Sequence, residues 1–145
     1  MKIGIGCDPN AAALKTMLIK LCESLGHEVT DLGSDDPIYA NTAIAVAESV
    51  AAGKFDRGIL ICGTGLGMSI AANKVKGAYA ALLSDVYSAK RAILSNDSNI
   101  ACLGAFTIGE KLACDLVEVW LSCDFVNGCA SQSKVDSYKS YDAGR

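Results

Sequence analysis

A chain of 145 residues is long enough for one domain that buries roughly 68–70% of its unfolded surface. Its net charge of -3, pI near 5.0 and mean hydropathy of +0.30 argue against the basic face that nucleic acid selects. No apolar run reaches the ~18 residues of a membrane span, and MKIGIGCDPN does not resemble a signal peptide, so a cytoplasmic protein without a membrane partner is expected.

In chain order, short apolar runs alternate with helical periodicity. Lys2–Cys7 reads as a strand, and Ala11–Leu25 as a helix with Leu14, Met17, Leu18, Leu21 and Leu25 on one stripe. Gly26 stops that helix, Glu28–Leu32 is a second strand, and GSDDP is a loop before a helix over Tyr39–Ala52. Arg57–Cys62 is the third strand, followed by a glycine-rich turn and a helix over Leu66–Lys74. Ala78–Leu83 is the fourth strand, with Ser84 or Asp85 capping a helix that runs to Leu94. Ile100–Leu103 is the fifth strand, Glu110–Ser122 a helix, and Ser133–Tyr141 the last helix. Continuously apolar strands alternating with helices imply an α/β fold: a five-stranded parallel sheet with helices on both faces and right-handed crossovers. Ligands bind such open sheets beyond the carboxyl ends of the strands. That places Cys7-Asp8, Cys62-Gly63-Thr64, Ser84-Asp85 and the Ser95–Asn99 region near the expected site.

The seven cysteines are odd in number and none forms a CxxC pair, which argues for reduced thiols over a disulfide or zinc framework. The single histidine, His27, sits between a helix and a strand. One such residue cannot supply a His-rich metal site, and a Ser-His-Asp triad is hard to build from it. No metal and no cofactor are expected.

The stretch ICGTGLGMSIAANK ends a β-branched strand at Cys62 and then places three glycines in five positions. Glycine carries an entropic penalty, so Gly63-Thr64-Gly65-Leu66-Gly67 reads as backbone that something must approach closely, with its N–H groups forming an anion cradle. GxxxxGK[ST] is absent, which removes a P-loop. A dinucleotide fingerprint needs GxGxxG, whereas Met68 occupies the sixth position, although Asp85 lies about 20 residues on, where a ribose-binding acid would. The third reading uses Cys62: a thiolate beside an anion hole can take a proton from carbon next to a carbonyl, while the amides hold the resulting enediolate. That is metal-free aldose–ketose isomerisation.

MKIGIGCD, SLGHEVTDLG, DRGILICGTGLGMSIAANKV, SDVYSAKRA and SNDSNIACLGA together resemble the family of ribose-5-phosphate isomerase B and galactose-6-phosphate isomerase, in order over about residues 2–125. The resemblance implies a Rossmann-like three-layer sandwich and a homodimer or dimer of dimers whose active sites are shared between subunits. It also implies a C-terminal helix, about 131–142, packed on the partner. By resemblance, Cys62 is the base between carbons 1 and 2. Thr64 acts with it, and Gly63, Gly65, Leu66 and Gly67 bind substrate and hold the enediolate. Asp8 and Asn96 contact sugar oxygens, and Pro9 and Ser95 stand where the family binds substrate.

Several departures bear on substrate. Pro9 replaces the histidine of the family's CDHAG, and Ser95 replaces the ring-opening histidine of HND. Phe106 replaces an arginine after CLGA, and NGCASQSK lacks the arginines of the family's tail, leaving Lys134 as the basic match once Val135 is aligned, with Arg91 and the turn amides as other phosphate partners. Ribose 5-phosphate is the default substrate. A tetrose 4-phosphate, which cannot close a furanose, is the alternative; IYAN and RAILSND resemble the branch containing erythrulose-4-phosphate isomerases. A non-catalytic sugar-phosphate-binding subunit is the alternative of another class, and the presence of Cys62 argues against it. Cys62 is expected to be the most readily alkylated of the seven thiols.

Overall fold

The computed structural model describes residues 1–145. Strands β1 (Lys2–Cys7), β2 (Glu28–Asp31), β3 (Arg57–Cys62), β4 (Ala80–Leu82) and β5 (Ile100–Gly104) form one sheet in the order β2-β1-β3-β5-β4. Every neighbouring pair is parallel. Helices α1 (Ala12–Ser24), α2 (Tyr39–Ala51), α3 (Leu66–Ala72), α4 (Val86–Leu94), α5 (Glu110–Leu121) and α6 (Gln132–Ala143) complete the chain.

The central strand β3, RGILIC, is buried at all six positions, as a strand covered on both faces must be. On one face α1, α4 and α5 close a core that includes Leu18, Ile93 and Trp120; on the other, α2 and α3 close a smaller one around Val46, Leu60 and Met68. The path explains the division. The chain moves outward from β1 to β2 and back inward from β4 to β5 through α1 and α4, and in the opposite direction through α2 and α3. Crossovers of one hand therefore put these pairs on opposite faces. No helix is long and apolar enough to cross a membrane.

The elements match the expected ones within a few residues, with three informative differences. The chain after β1 first makes a 3₁₀ turn over Pro9–Ala11, because Asp8 caps it by accepting from the Asn10 N–H at 2.8 Å, and α1 starts only at Ala12. Strand β4 starts at Ala80, since the Tyr79 N–H is taken by the Asn99 side chain at 2.7 Å. Asp85, not Ser84, caps α4 by accepting from the Ser88 N–H.

The larger correction concerns Ser95–Asn99. Helix α4 runs antiparallel to the strands, so its carboxyl end returns to the amino edge of the sheet, and Asn99 leads directly into β5. Ser95 and Asn96 therefore lie at the edge opposite Cys62, not beside it. Helix α6 joins them there: Tyr138 donates to the Asn96 carbonyl, Lys139 pairs with Asp97, and Asp142 accepts from the Gly77 N–H and the Tyr79 hydroxyl.

Candidate active site

Strands β1 and β3 are neighbours whose following helices lie on opposite faces, so their carboxyl ends open a crevice at a topological switch point. Asp8 and Cys62 border it. The Asp8 N–H donates to the Ile61 carbonyl at 3.0 Å, which holds the carboxylate against the end of β3. Asp8 is 9% exposed, and one carboxylate oxygen is held by its own turn. Pro9, the first residue of that turn, is exposed beside it.

Beyond Cys62 the turn folds tightly onto β5. Gly65 adopts φ 76°, and a Cβ there would lie 2.9 Å from the backbone carbon of Leu103, so neither the conformation nor the space admits a side chain. The Gly65 N–H donates to the Cys62 sulfur at 3.1 Å, and the Leu66 N–H to the Thr64 hydroxyl at 3.3 Å. The amides of Gly63, Thr64, Gly67 and Met68 donate to no backbone carbonyl or side chain. The result is a short loop of free donors around one sulfur.

Burial pushes the Cys7 and Cys22 thiols up to about 11 and raises those of Cys102 and Cys114 as well. Those groups stay protonated packing thiols. Cys62 is 4% exposed, whereas Cys114, Cys123 and Cys129 are half-buried. No three His, Cys, Asp or Glu side chains converge as a metal-ligand set.

Two aromatic rings frame the turn. Phe106, 73% exposed, stands over Gly63, where a Cβ would lie 2.9 Å from its ring. Tyr39 lies over Gly67 from the start of α2, with its phenol oxygen 2.1 Å from where a Cβ would be. Tyr39 escaped the sequence reading. The only signal for it was IYAN following the loop after β2, which returns the chain to the carboxyl edge.

The structure thus gathers Asp8, Pro9, Cys62, Gly63, Thr64, Gly65, Leu66 and Gly67 at one edge. Ser95 and Asn96 are brought together at the other, with exposed Lys134 on the helix that bonds to Asn96 and Asp97. The Asn96 amide donates to the Arg91 carbonyl at 2.9 Å, which ties down the end of α4. A groove of about 450 Å³ lies between β4 and α6, lined by Asn96, Tyr79, Tyr138, Tyr141 and Arg145. Meanwhile the cations in the opening turns of α1 and α5 are already paired, Lys15 with Asp31 and Lys111 with Asp115.

Residues 3–138 match the family described as Ribose/Galactose Isomerase. The chain is 47% identical to "Ribose-5-P isomerase B" of Listeria innocua, covering 98% of this chain and 97% of that one. It is 43% identical, with the same coverage, to "D-erythrulose-4-phosphate isomerase 2" of Mycolicibacterium smegmatis. Among solved structures, ribose-5-phosphate isomerase B of Clostridium thermocellum superposes with a TM-score of 0.92 at 40% identity, over 99% of both chains. With residues 3–138 matched and the whole fold shared with solved relatives, this chain belongs to the ribose/galactose isomerases, a family of sugar-phosphate isomerases.

Proposed function

We propose that the protein interconverts an aldose phosphate and its ketose, with ribose 5-phosphate and ribulose 5-phosphate as the default pair. The observation that carries this reading is the sulfur of Cys62 inside a loop of unpartnered backbone N–H groups. Cys62 as thiolate removes the proton on carbon 2 of the open-chain aldose. The electrons of that C–H bond become the carbon 1–carbon 2 double bond, and the carbonyl oxygen takes the negative charge. The free amides and Thr64 hold that charge without reorganising. Return of the proton to carbon 1, with the hydroxyl proton passing from oxygen 2 to oxygen 1 as the carbon 2–oxygen double bond forms, gives the ketose, with no net oxidation and no metal required. Asp8, with one carboxylate oxygen uncommitted, orients a sugar hydroxyl.

The phosphate has no free cation in the opening turns of α1 or α5, and the acids Asp8, Asp31 and Asp85 occupy the same edge. A shared site resolves this. The amino edge of a second copy, with Asn96 and the exposed Lys134, supplies the missing polar and cationic groups, with Ser95 beside them. The alternative substrate, a tetrose 4-phosphate, is favoured by one observation. Pro9 and Ser95 supply no histidine to open a ring, and a tetrose 4-phosphate needs no such step.

The test is ketose formation from four-, five- and six-carbon aldose phosphates, with and without chelator. Activity should persist in chelator and be greatest with the five-carbon substrate; a larger kcat/KM for the four-carbon one selects the alternative. Cys62→Ser should lose at least ~100-fold in turnover. Near-normal activity in that variant would instead mark the protein as a binding subunit.

A further inference from the structure

We propose that Tyr39 is a catalytic residue of this site, its phenol donating a hydrogen bond to the enediolate oxygen held at the Gly67 end of the turn; this rests on the isomerase reading above.

Three observations carry it. First, the ring lies over Gly67 with its phenol oxygen in the space that a Cβ at that position would need. A glycine there allows the hydroxyl to reach the turn. Second, the N–H groups of Gly67, the residue the ring covers, and of Met68 after it have no acceptor within the protein. Third, the hydroxyl is itself uncommitted. The phenols of Tyr79 and Tyr138 donate to Asp142 and to the Asn96 carbonyl, whereas Tyr39 bonds to no protein group and is 38% exposed. A tyrosine kept only to pack α2 against α3 has no need of its oxygen at that point.

The hydroxyl keeps its proton throughout. It acts by stabilising negative charge that exists in the transition state and is absent from the bound aldose, so its loss belongs in kcat more than in KM. Phosphate binding would show the reverse pattern.

The experiment compares the full-length protein with Tyr39→Phe, Gly67→Ala and Cys62→Ser, measuring kcat and KM for ribose 5-phosphate, incorporation of solvent deuterium at carbon 2, and melting temperature. Tyr39→Phe should lose about 100-fold in kcat, as removal of one oxyanion donor does, with KM changed less than about twofold and an unchanged melting temperature. Deuterium incorporation should fall in step with kcat. Gly67→Ala, which displaces the ring, should show at least the same loss. A near-native kcat for Tyr39→Phe, or a rise confined to KM, overturns the assignment while leaving the isomerase reading intact, provided Cys62→Ser is inactive. If Cys62→Ser also keeps its activity, the isomerase mechanism itself falls, and this proposal with it.

Discussion

Cys62 and the glycines after it were legible because their pattern is local. A β-branched run that stops at a thiol and turns through GxGxG can be read from fourteen consecutive residues. What lies above that turn was not legible. Tyr39 and Phe106 arrive from the start of α2 and the end of β5, and nothing in their own neighbourhoods shows that each rests on a glycine of the turn. The turn also depends on a backbone conformation no other residue tolerates well. Gly65→Ala places a Cβ at φ 76° and 2.9 Å from the Leu103 backbone carbon, which cannot move aside as a flexible side chain could. The left-handed conformation alone costs about 1–2 kcal/mol. The variant should melt at lower temperature and also lose turnover, because the Gly65 N–H that contacts the Cys62 sulfur shifts with it. Unchanged kinetics in a destabilised protein would separate the turn from catalysis.

Among the elements, pattern alone located the strands and helices, since β3 runs apolar from Gly58 to Cys62 and α1 carries one apolar stripe. Strand order was not available from period. That β5 inserts between β3 and β4 is decided by packing far along the chain, and the misplacement of Ser95–Asn99 came from reading a loop that enters a strand as one that leaves it. Helix α6 was recognised as a helix, but its docking by polar contacts leaves no sequence signature. The carboxylate of Asp142 is held below its usual range, first by the Gly77 N–H and then by Arg145, with the Tyr79 hydroxyl adding to them. A depressed value in the folded state contributes stability that is present above the unfolded value of about 3.9 and is lost as pH falls through the lower, folded one. Acidification in that window should loosen α6, seen as faster amide exchange in residues 132–143, and Asp142→Asn should remove most of that pH dependence. Tyr79 reports the other limit. Burial, with Asp142 beside it, raises its phenol to about 12, so its contribution persists below about 10 and fades as pH climbs through that raised value. An α6 whose exchange is indifferent to acid would show that Asp142 does not hold it.

In the molecule as a whole, the two halves of the proposed site sit at opposite edges of one sheet. Cys62 is in register with Gly104, the last residue of β5, while Asn96 precedes the first, Ile100. The five residues of β5 alone span about 16 Å at roughly 3.3 Å each, further than an asparagine side chain can reach. Within a single chain, then, Asn96 and Lys134 cannot serve the substrate held at Cys62. They can serve it in a closed pair of chains, where each carboxyl edge meets the other's amino edge and an isologous contact builds two equal sites. Complementation tests this directly. Cys62→Ser and Asn96→Ala should each be nearly inactive alone. Unfolded together and refolded as a mixture, they form heterodimers with one site that has both the thiol and the amide, and one with neither. Random pairing of equal amounts should restore roughly a quarter of the native turnover. Refolding each variant separately before mixing should restore it only as fast as subunits exchange. If co-refolding restores nothing, while wild-type protein passed through the same cycle recovers, each chain works with its own residues. Asn96 would then have no part in the chemistry at Cys62.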